Sequence, residues 1–258
     1  YGKTVSNFSF DESCKLIANV NQLEAATWAL LVNCGTVSLT GGVATGNIEN
    51  VKSYATIEIF GEHSYSDAMY VAPIAGQVCG ATDDTQTPSE IRNCQNYGKI
   101  WIHDLSQEML SSQPYYRYTT VGGIIGRAAG IILKNCQNYG EIVFERVNRK
   151  CGTFYVGGLV GYGTNRADNT SATLLGDVTT SQNHGNITIG SETDPVKTHT
   201  ATICGCVGRT QWCNTTQLEN YGNITGNIIQ SDPFVGGLDV PTPSSASYYK
   251  TWQDQLTG

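Results

Sequence analysis

Apolar positions along the chain fall in short clusters rich in Val, Ile and Leu, set between polar stretches that carry Gly, Ser, Thr and Asn. Ile142-Val143-Phe144 and Ile187-Thr188-Ile189 are of this kind, and Gly130-Ile131-Ile132-Leu133-Lys134 is a longer run. Their length and β-branched content predict strands joined by turns. One stretch departs from the pattern. Asn21-Gln22-Leu23-Glu24-Ala25-Ala26-Thr27-Trp28 sets an Asn cap before helix formers with apolar spacing, which predicts a short helix over one end of the molecule. No run reaches the roughly 18 apolar residues that a membrane-spanning helix needs. The opening Tyr1-Gly2-Lys3-Thr4-Val5 has no signal-peptide core, so the chain reads as a processed or excised piece.

The clusters repeat. Asn93-Cys94-Gln95-Asn96-Tyr97-Gly98-Lys99-Ile100 returns as Asn135-Cys136-Gln137-Asn138-Tyr139-Gly140-Glu141-Ile142. Looser copies run Ser181-Gln182-Asn183-His184-Gly185-Asn186-Ile187 and Leu218-Glu219-Asn220-Tyr221-Gly222-Asn223-Ile224, and a degenerate one is Asn50-Val51-Lys52-Ser53-Tyr54-Ala55-Thr56-Ile57. The residue before the aromatic (Ser53, Asn96, Asn138, Asn183, Asn220) recurs at intervals of 43, 42, 45 and 37. A second motif keeps phase with the first: Val121-Gly122-Gly123-Ile124-Ile125-Gly126, Val156-Gly157-Gly158-Leu159-Val160-Gly161 and Ile203-Cys204-Gly205-Cys206-Val207-Gly208. Fixed motifs at uneven spacing imply variable loops on a fixed frame, with three short strands per unit.

A three-faced coil of a parallel β-helix takes roughly 20 to 28 residues, so one repeat fits one coil plus a loop. The expected fold is therefore all-β, a parallel β-helix (β-solenoid) of about six three-stranded coils with long loops. Residues 1–238 form the solenoid, with a first coil over 1–45 and repeats over about 46–238. Residues 239–258 are a Pro/Ser linker followed by an aromatic segment. In such a stack Asn96, Asn138, Asn183 and Asn220 form a structural ladder. Tyr97, Tyr139, His184 and Tyr221 stack beside it, and Gly98, Gly140, Gly185 and Gly222 take positive φ at the corner. Single-coil stacking brings Cys94 and Cys136 within disulfide range, although buried free thiols are the favoured state. Cys204 and Cys206 alternate on one strand and share a face, while Cys14, Cys79, Cys151 and Cys213 are the better disulfide candidates.

Gly158-Leu159-Val160-Gly161 followed by an Asn-Cys-x-Asn-x-Gly-x-Ile element resembles the GLUG-motif repeats of microbial surface proteins. The opening Gly2-Lys3-Thr4-Val5-Ser6-Asn7-Phe8 is similar to the segment that often precedes such arrays. Such arrays occur in adhesin-like proteins and beside a secreted immunoglobulin-cleaving metallopeptidase domain. The resemblance implies a location and an architecture more than an activity.

Composition narrows the function. The 258 residues include 29 Gly and only 14% charged residues, with a net charge of −7, which argues against a nucleic-acid partner. Nine Cys favour an oxidising extracellular or cell-surface setting. Polysaccharide-cleaving β-helices need clustered acids. Here Asp83-Asp84 is an adjacent acidic pair in a Thr- and Pro-rich loop, and Asp104 and Asp177 are isolated, so no catalytic residue is assigned. His63, His103, His184 and His199 lack metal-ligand spacing, and neither a metal nor a cofactor is expected. Sequons at Asn7, Asn169, Asn186, Asn214 and Asn223 are candidate glycosylation sites.

Two roles follow as expectations. The first is a non-enzymatic extracellular, adhesin-like scaffold that displays loops to a glycan or protein, with Tyr115, Tyr116, Arg117 and Tyr118 as the candidate partner loop. The second is a subunit of a self-assembling surface filament, whose partner is another copy of itself. There Tyr248, Tyr249 and Trp252 anchor one copy to the next. A polysaccharide-degrading enzyme is a less favoured third class.

Overall fold

The computed structural model describes residues 4–19, 26–31, 46–60, 69–80, 88–103, 118–147, 153–164, 176–192, 201–211, 213–226 and 231–232. Among them every regular element is a strand and every strand pair is parallel. The first coil holds β1 (Val5–Phe10), β2 (Lys15–Asn19) and β3 (Ala26–Trp28). The second holds β4 (Ile48–Ser53), β5 (Thr56–Phe60), β6 (Met69–Val71) and β7 (Ala75–Cys79). The third holds β8 (Ser89–Arg92), β9 (Gln95–Asn96), β10 (Ile100–Ile102), β11 (Tyr118–Gly122) and β12 (Ile125–Ala129). The fourth runs β13 (Ile131–Lys134), β14 (Gln137–Asn138), β15 (Ile142–Val147), β16 (Thr153–Gly157) and β17 (Val160–Thr164). The fifth runs β18 (Gly176–Thr179), β19 (Gln182–Asn183), β20 (Ile187–Glu192), β21 (Ala201–Cys204) and β22 (Val207–Gln211). The sixth holds β23 (Cys213–Thr216), β24 (Glu219–Asn220), β25 (Ile224–Gly226) and β26 (Ser231–Asp232).

Equivalent strands of successive coils pair side by side, giving four stacked sheets. Sheet one is the ten-stranded β23-β18-β13-β8-β4-β9-β14-β19-β24 with β1 on β4. Sheet two is β2-β5-β10-β15-β20-β25, sheet three β26-β21-β16-β11-β6-β3, and sheet four β22-β17-β12-β7. Asn96 lies opposite Asn138, Asn138 opposite Asn183, and Asn183 opposite Asn220, so one sequence repeat makes one coil. Three strands per coil do not account for this pairing: the third, fourth and fifth coils each contribute five strands to four sheets. The extra divisions have a local cause. Asn7, Asn50, Asn93, Asn135, Thr180 and Gln217 occupy equivalent positions and all have positive φ, between 45° and 60°. That left-handed residue bends the strand at every level and, from the third coil on, splits it in two.

The alternation of side chains fills the interior. Ile57, Ile100, Ile142, Ile187 and Ile224 stack along sheet two, one per coil, and pack with Val71, Val121, Val156 and Ile203 of sheet three. A second apolar lobe joins sheet one to sheet four through Val51, Ile91, Leu133, Ile125, Val160 and Val207. The Asn ladder lies between these lobes: a Cβ at Gly123 would fall 2.4 Å from Asn138 Cγ, and one at Gly158 2.2 Å from Asn183 Cγ. The two sequence motifs thus meet inside the coil, the amides of one closing against the glycines of the other.

Several sequence expectations change here. Ala26–Trp28 is strand β3, not helix, because it pairs with Met69–Val71 of the next coil; residues 21–25 lie outside the described residues. Among described glycines only Gly130 has positive φ, so Gly98, Gly140, Gly185 and Gly222 serve another need. A Cβ on each would sit 1.9 to 2.0 Å from a carbonyl oxygen of the preceding coil. Cys204 ends β21 and Cys206 sits in the turn before β22, so they do not share one strand face: Cys204 Sγ faces the Gly208 carbonyl and Cys206 Sγ the Glu219 carbonyl. Cys14 and Cys213 carry free thiols, as do Cys94, Cys136, Cys204 and Cys206. Cys213 is buried beneath Gly163, and burial pushes its thiol well up. The side chain of Cys79 and all of Cys151 lie outside the described residues.

Candidate functional site

Along one corner of the stack, between the two halves of sheet one and sheet two, three side-chain ladders run parallel to the axis. The innermost is the Asn ladder. Asn96 Nδ2 donates to Asn138 Oδ1 at 2.8 Å, Asn138 to Asn183 at 2.9 Å, and Asn183 to Asn220 at 2.8 Å. Each also bridges the corner within its own coil, donating to the carbonyl of the glycine two residues on and accepting from its N–H. All four hydrogen-bonding positions of the buried Asn138 amide are therefore used.

Next to it, on the outside, Tyr54, Tyr97, Tyr139, His184 and Tyr221 form a continuous stack. Ring centroids are 4.7, 4.8, 4.6 and 4.8 Å apart and the planes lie within 8° of parallel. The spacing is the inter-strand distance itself, so the rings are held face to face by the backbone and show their edges to solvent. The four tyrosines are 38 to 41% exposed. Burial against its neighbours raises the Tyr97 phenol, and a 2.6 Å bond to Glu219 raises that of Tyr221; both remain hydrogen donors. His184 is a member of the stack, with desolvation lowering its pKa against a smaller opposing pull from Glu219.

The third ladder was missed in sequence. Lys52, Gln95, Gln137, Gln182 and Glu219 lie opposite one another. Gln95 Nε2 donates to Gln137 at 2.6 Å, Gln137 to Gln182 at 3.1 Å, and Gln182 to the Glu219 carboxylate at 2.7 Å. Tyr97 and His184 lean on it through Gln95 and Gln182, each at 3.2 Å. The signal was present, since the Gln precedes the Asn in three of the copies. A shallow cleft opens beside this ladder at its C-terminal end, lined by Thr180, Gln182, Gln217 and Glu219.

Two further clusters were not legible. On sheet two, His103 bridges three coils: its Nε2 lies 2.8 Å from Glu58 and its Nδ1 2.7 Å from Glu145, and its ring stacks on Phe60 at 4.0 Å and Trp101 at 4.3 Å. Where sheets three and four approach on the outside, Arg127 and Arg209 lie over the rings of Tyr70, Tyr155 and Tyr162, at 5.0 to 6.0 Å. Arg209 also donates to the Tyr155 hydroxyl. Loops separate the partners in sequence, so neither cluster has a local pattern.

Of the sequence candidates, Tyr115, Tyr116 and Arg117 lie outside the described residues, as do Asp83, Asp84, Asp104, His63, His199, Tyr248, Tyr249, Trp252 and Asn169. Tyr118 begins β11. Asp177 stands alone on the outside of β18, half-buried, its Oδ1 without a hydrogen-bond partner; desolvation pushes its carboxyl up while Lys134 opposes. Asn223 and Asn186 are exposed on one row and linked at 3.0 Å, Asn7 accepts from Asn50 at 3.0 Å, and Asn214 is half-buried opposite Asp177. Among the described residues no three His, Cys, Asp or Glu side chains come together as a metal site, and no helix is long and apolar enough to cross a membrane. No protein-family model, no curated protein and no solved structure matches this chain.

Proposed function

We propose that the protein is an extracellular or cell-surface β-solenoid that acts as a non-enzymatic, adhesin-like scaffold. It displays variable loops on a rigid frame to a glycan or protein partner. One observation carries this: every described coil registers with the next, and the side-chain amides of the repeat hold neighbouring coils together, Asn to Asn and Gln to Gln. Three described carboxylates are likewise taken up by side-chain partners, Glu58 and Glu145 by His103 and Glu49 by Arg92 at 2.9 Å, whereas Asp177 is not. The resemblance to GLUG-motif surface proteins points the same way. The deciding measurement is binding of the intact chain to arrays of glycans and extracellular matrix proteins, alongside variants lacking the Tyr115–Tyr118 loop. Saturable binding lost with the loop supports display by the loops, and absence of any partner overturns it.

A second reading, head-to-tail assembly, is favoured by the state of the first coil. Phe8, Leu16, Trp28 and Leu30 pack on the core yet stay only half-buried, whereas Cys213, Leu218 and Ile224 of the last coil are at most 8% exposed. An open apolar edge is a pairing surface. Light scattering with negative-stain imaging separates the two readings: a monodisperse monomer removes assembly, and polymers with an axial repeat near the solenoid length establish it.

A further inference from the structure

We infer that the corner carrying the tyrosine and glutamine ladders is itself a binding track for a linear, uncharged glycan lying parallel to the solenoid axis. This rests on the scaffold reading above but moves recognition from the loops to the frame. The track is built from hydroxyl-recognising groups at one fixed interval. Five ring edges at about 4.8 Å spacing span roughly 19 Å, between Tyr54 in the second coil and Tyr221 in the sixth. Each glutamine of the ladder spends one amide N–H on its neighbour and keeps the second. Among the described residues the hydroxyls of Tyr54 and Tyr139 have no protein partner, although both rings are well exposed. At the C-terminal end the cleft formed by Thr180, Gln182, Gln217 and Glu219 opens the ladder sideways.

The step selects the polymer. An extended peptide advances about 3.3 Å per residue, so it meets a ladder of about 4.8 Å in phase only at every second rung. A β-linked pyranose chain advances by nearly one coil rise per sugar and presents hydroxyls at each step. Charge selects its neutrality. Lys52 and Glu219 mark opposite ends of the glutamine row, three uncharged amides lie between them, and on the far side of the rings Lys99 faces Glu141 at 4.0 Å. No rung carries a run of cations to prefer an acidic polymer. Because neighbouring rings cover each other's faces, the sugars meet phenol hydroxyls and ring edges. That makes the hydroxyl groups the discriminating feature.

The test uses the intact chain with cellohexaose, chitohexaose, xylohexaose and mannohexaose, followed by a length series from two to six sugars, in titration calorimetry. The key variant is Tyr54→Phe/Tyr97→Phe/Tyr139→Phe, which keeps the stacked rings and removes three hydroxyls. The expected result is binding that strengthens with length up to at least four sugars and weakens tenfold or more in the variant, with its thermal midpoint within a few degrees of the parent. Equal binding by parent and variant overturns the track while leaving loop display standing. Binding only to acidic glycans or to protein also overturns the track and leaves the scaffold reading intact. A chain that binds none of the four oligosaccharides overturns the track as well, and one that also binds nothing on the glycan and matrix-protein arrays overturns both.

Discussion

Asn138 donates to Asn183 and to the Gly140 carbonyl while accepting from Asn96 and from the Gly140 N–H, all inside the protein. Removing it leaves a donor on Asn96, an acceptor on Asn183 and both corner groups short of a partner where water does not reach. Asn138→Ala is expected to cost about 2–4 kcal/mol in urea unfolding. Asn138→Asp should cost at least as much, since a carboxylate cannot donate to Asn183. A loss below about 1 kcal/mol for Asn138→Ala would show that the ladder is ornamental. Thr180 points the other way. It is a β-branched residue at φ 45°, where its equivalents in four other coils are Asn, and its Oγ1 is buried without a partner. Thr180→Asn is expected to stabilise by about 1 kcal/mol, raising the thermal midpoint by roughly 2–4 °C. His184 supplies a pH test. Its folded pKa lies below 6.5, so the unfolded chain takes up the proton first and stability falls as pH drops below about 6.5. His184→Tyr, which matches the other four rings, should remove that part of the acid sensitivity, read as a smaller difference in urea midpoint between pH 7 and pH 5.

At the scale of elements, the close approach of successive corners decides which residues the repeat can hold. The Gly140 Cα faces the Gly98 carbonyl so closely that a Cβ would lie 1.9 Å from the oxygen and 2.4 Å from Asn96 Nδ2. Gly140→Ala must therefore separate β14 from β9, and is expected to cost about 3 kcal/mol or more. Ala55 occupies the equivalent place in the second coil at no such cost. The coil before it spans the corner with two extra residues, from Phe10 opposite Ser53 to Lys15 opposite Thr56, which leaves room for a methyl group. The same corner shows how far a sequence reads. Recurrence of Asn-Tyr-Gly was enough to find one coil per repeat, the partners of the Asn ladder and the aromatic stack from Tyr97 to Tyr221, but not Tyr54 or the glutamine row. Whether its glycine answers a positive φ or a short carbonyl contact was not legible, because both demands select the same residue. The left-handed series Asn7, Asn50, Asn93, Asn135, Thr180 and Gln217 escaped for the opposite reason: its last two members do not look like left-handed residues. His103 and its two glutamates lie 45 and 42 residues apart across loops, a distance no local pattern spans.

For the molecule as a whole, a stack whose coils touch only their neighbours should open from its weaker end. Interior coils are flanked twice, and their inward side chains, such as Ile100, Ile142 and Phe144, are completely buried. The first coil has one neighbour. Its inward residues Phe8 and Leu16 are half-buried, and of β1 and β2 only Ala18 is buried. Amide exchange is therefore expected to be fastest in β1–β3 and slowest in β10, β15 and β20, with β4 and β5 between. Protection in the sixth coil should exceed that in the first, because Leu218 and Ile224 are covered while their counterparts at the other end are not. Head-to-tail stacking would change this order in a simple way: raising the protein concentration would slow exchange in β1–β3 and in the sixth coil that covers them, and leave the interior unchanged. Uniform exchange across all coils at every concentration would mean that the stack unfolds as one unit, and that its open end carries no instability for a partner to relieve.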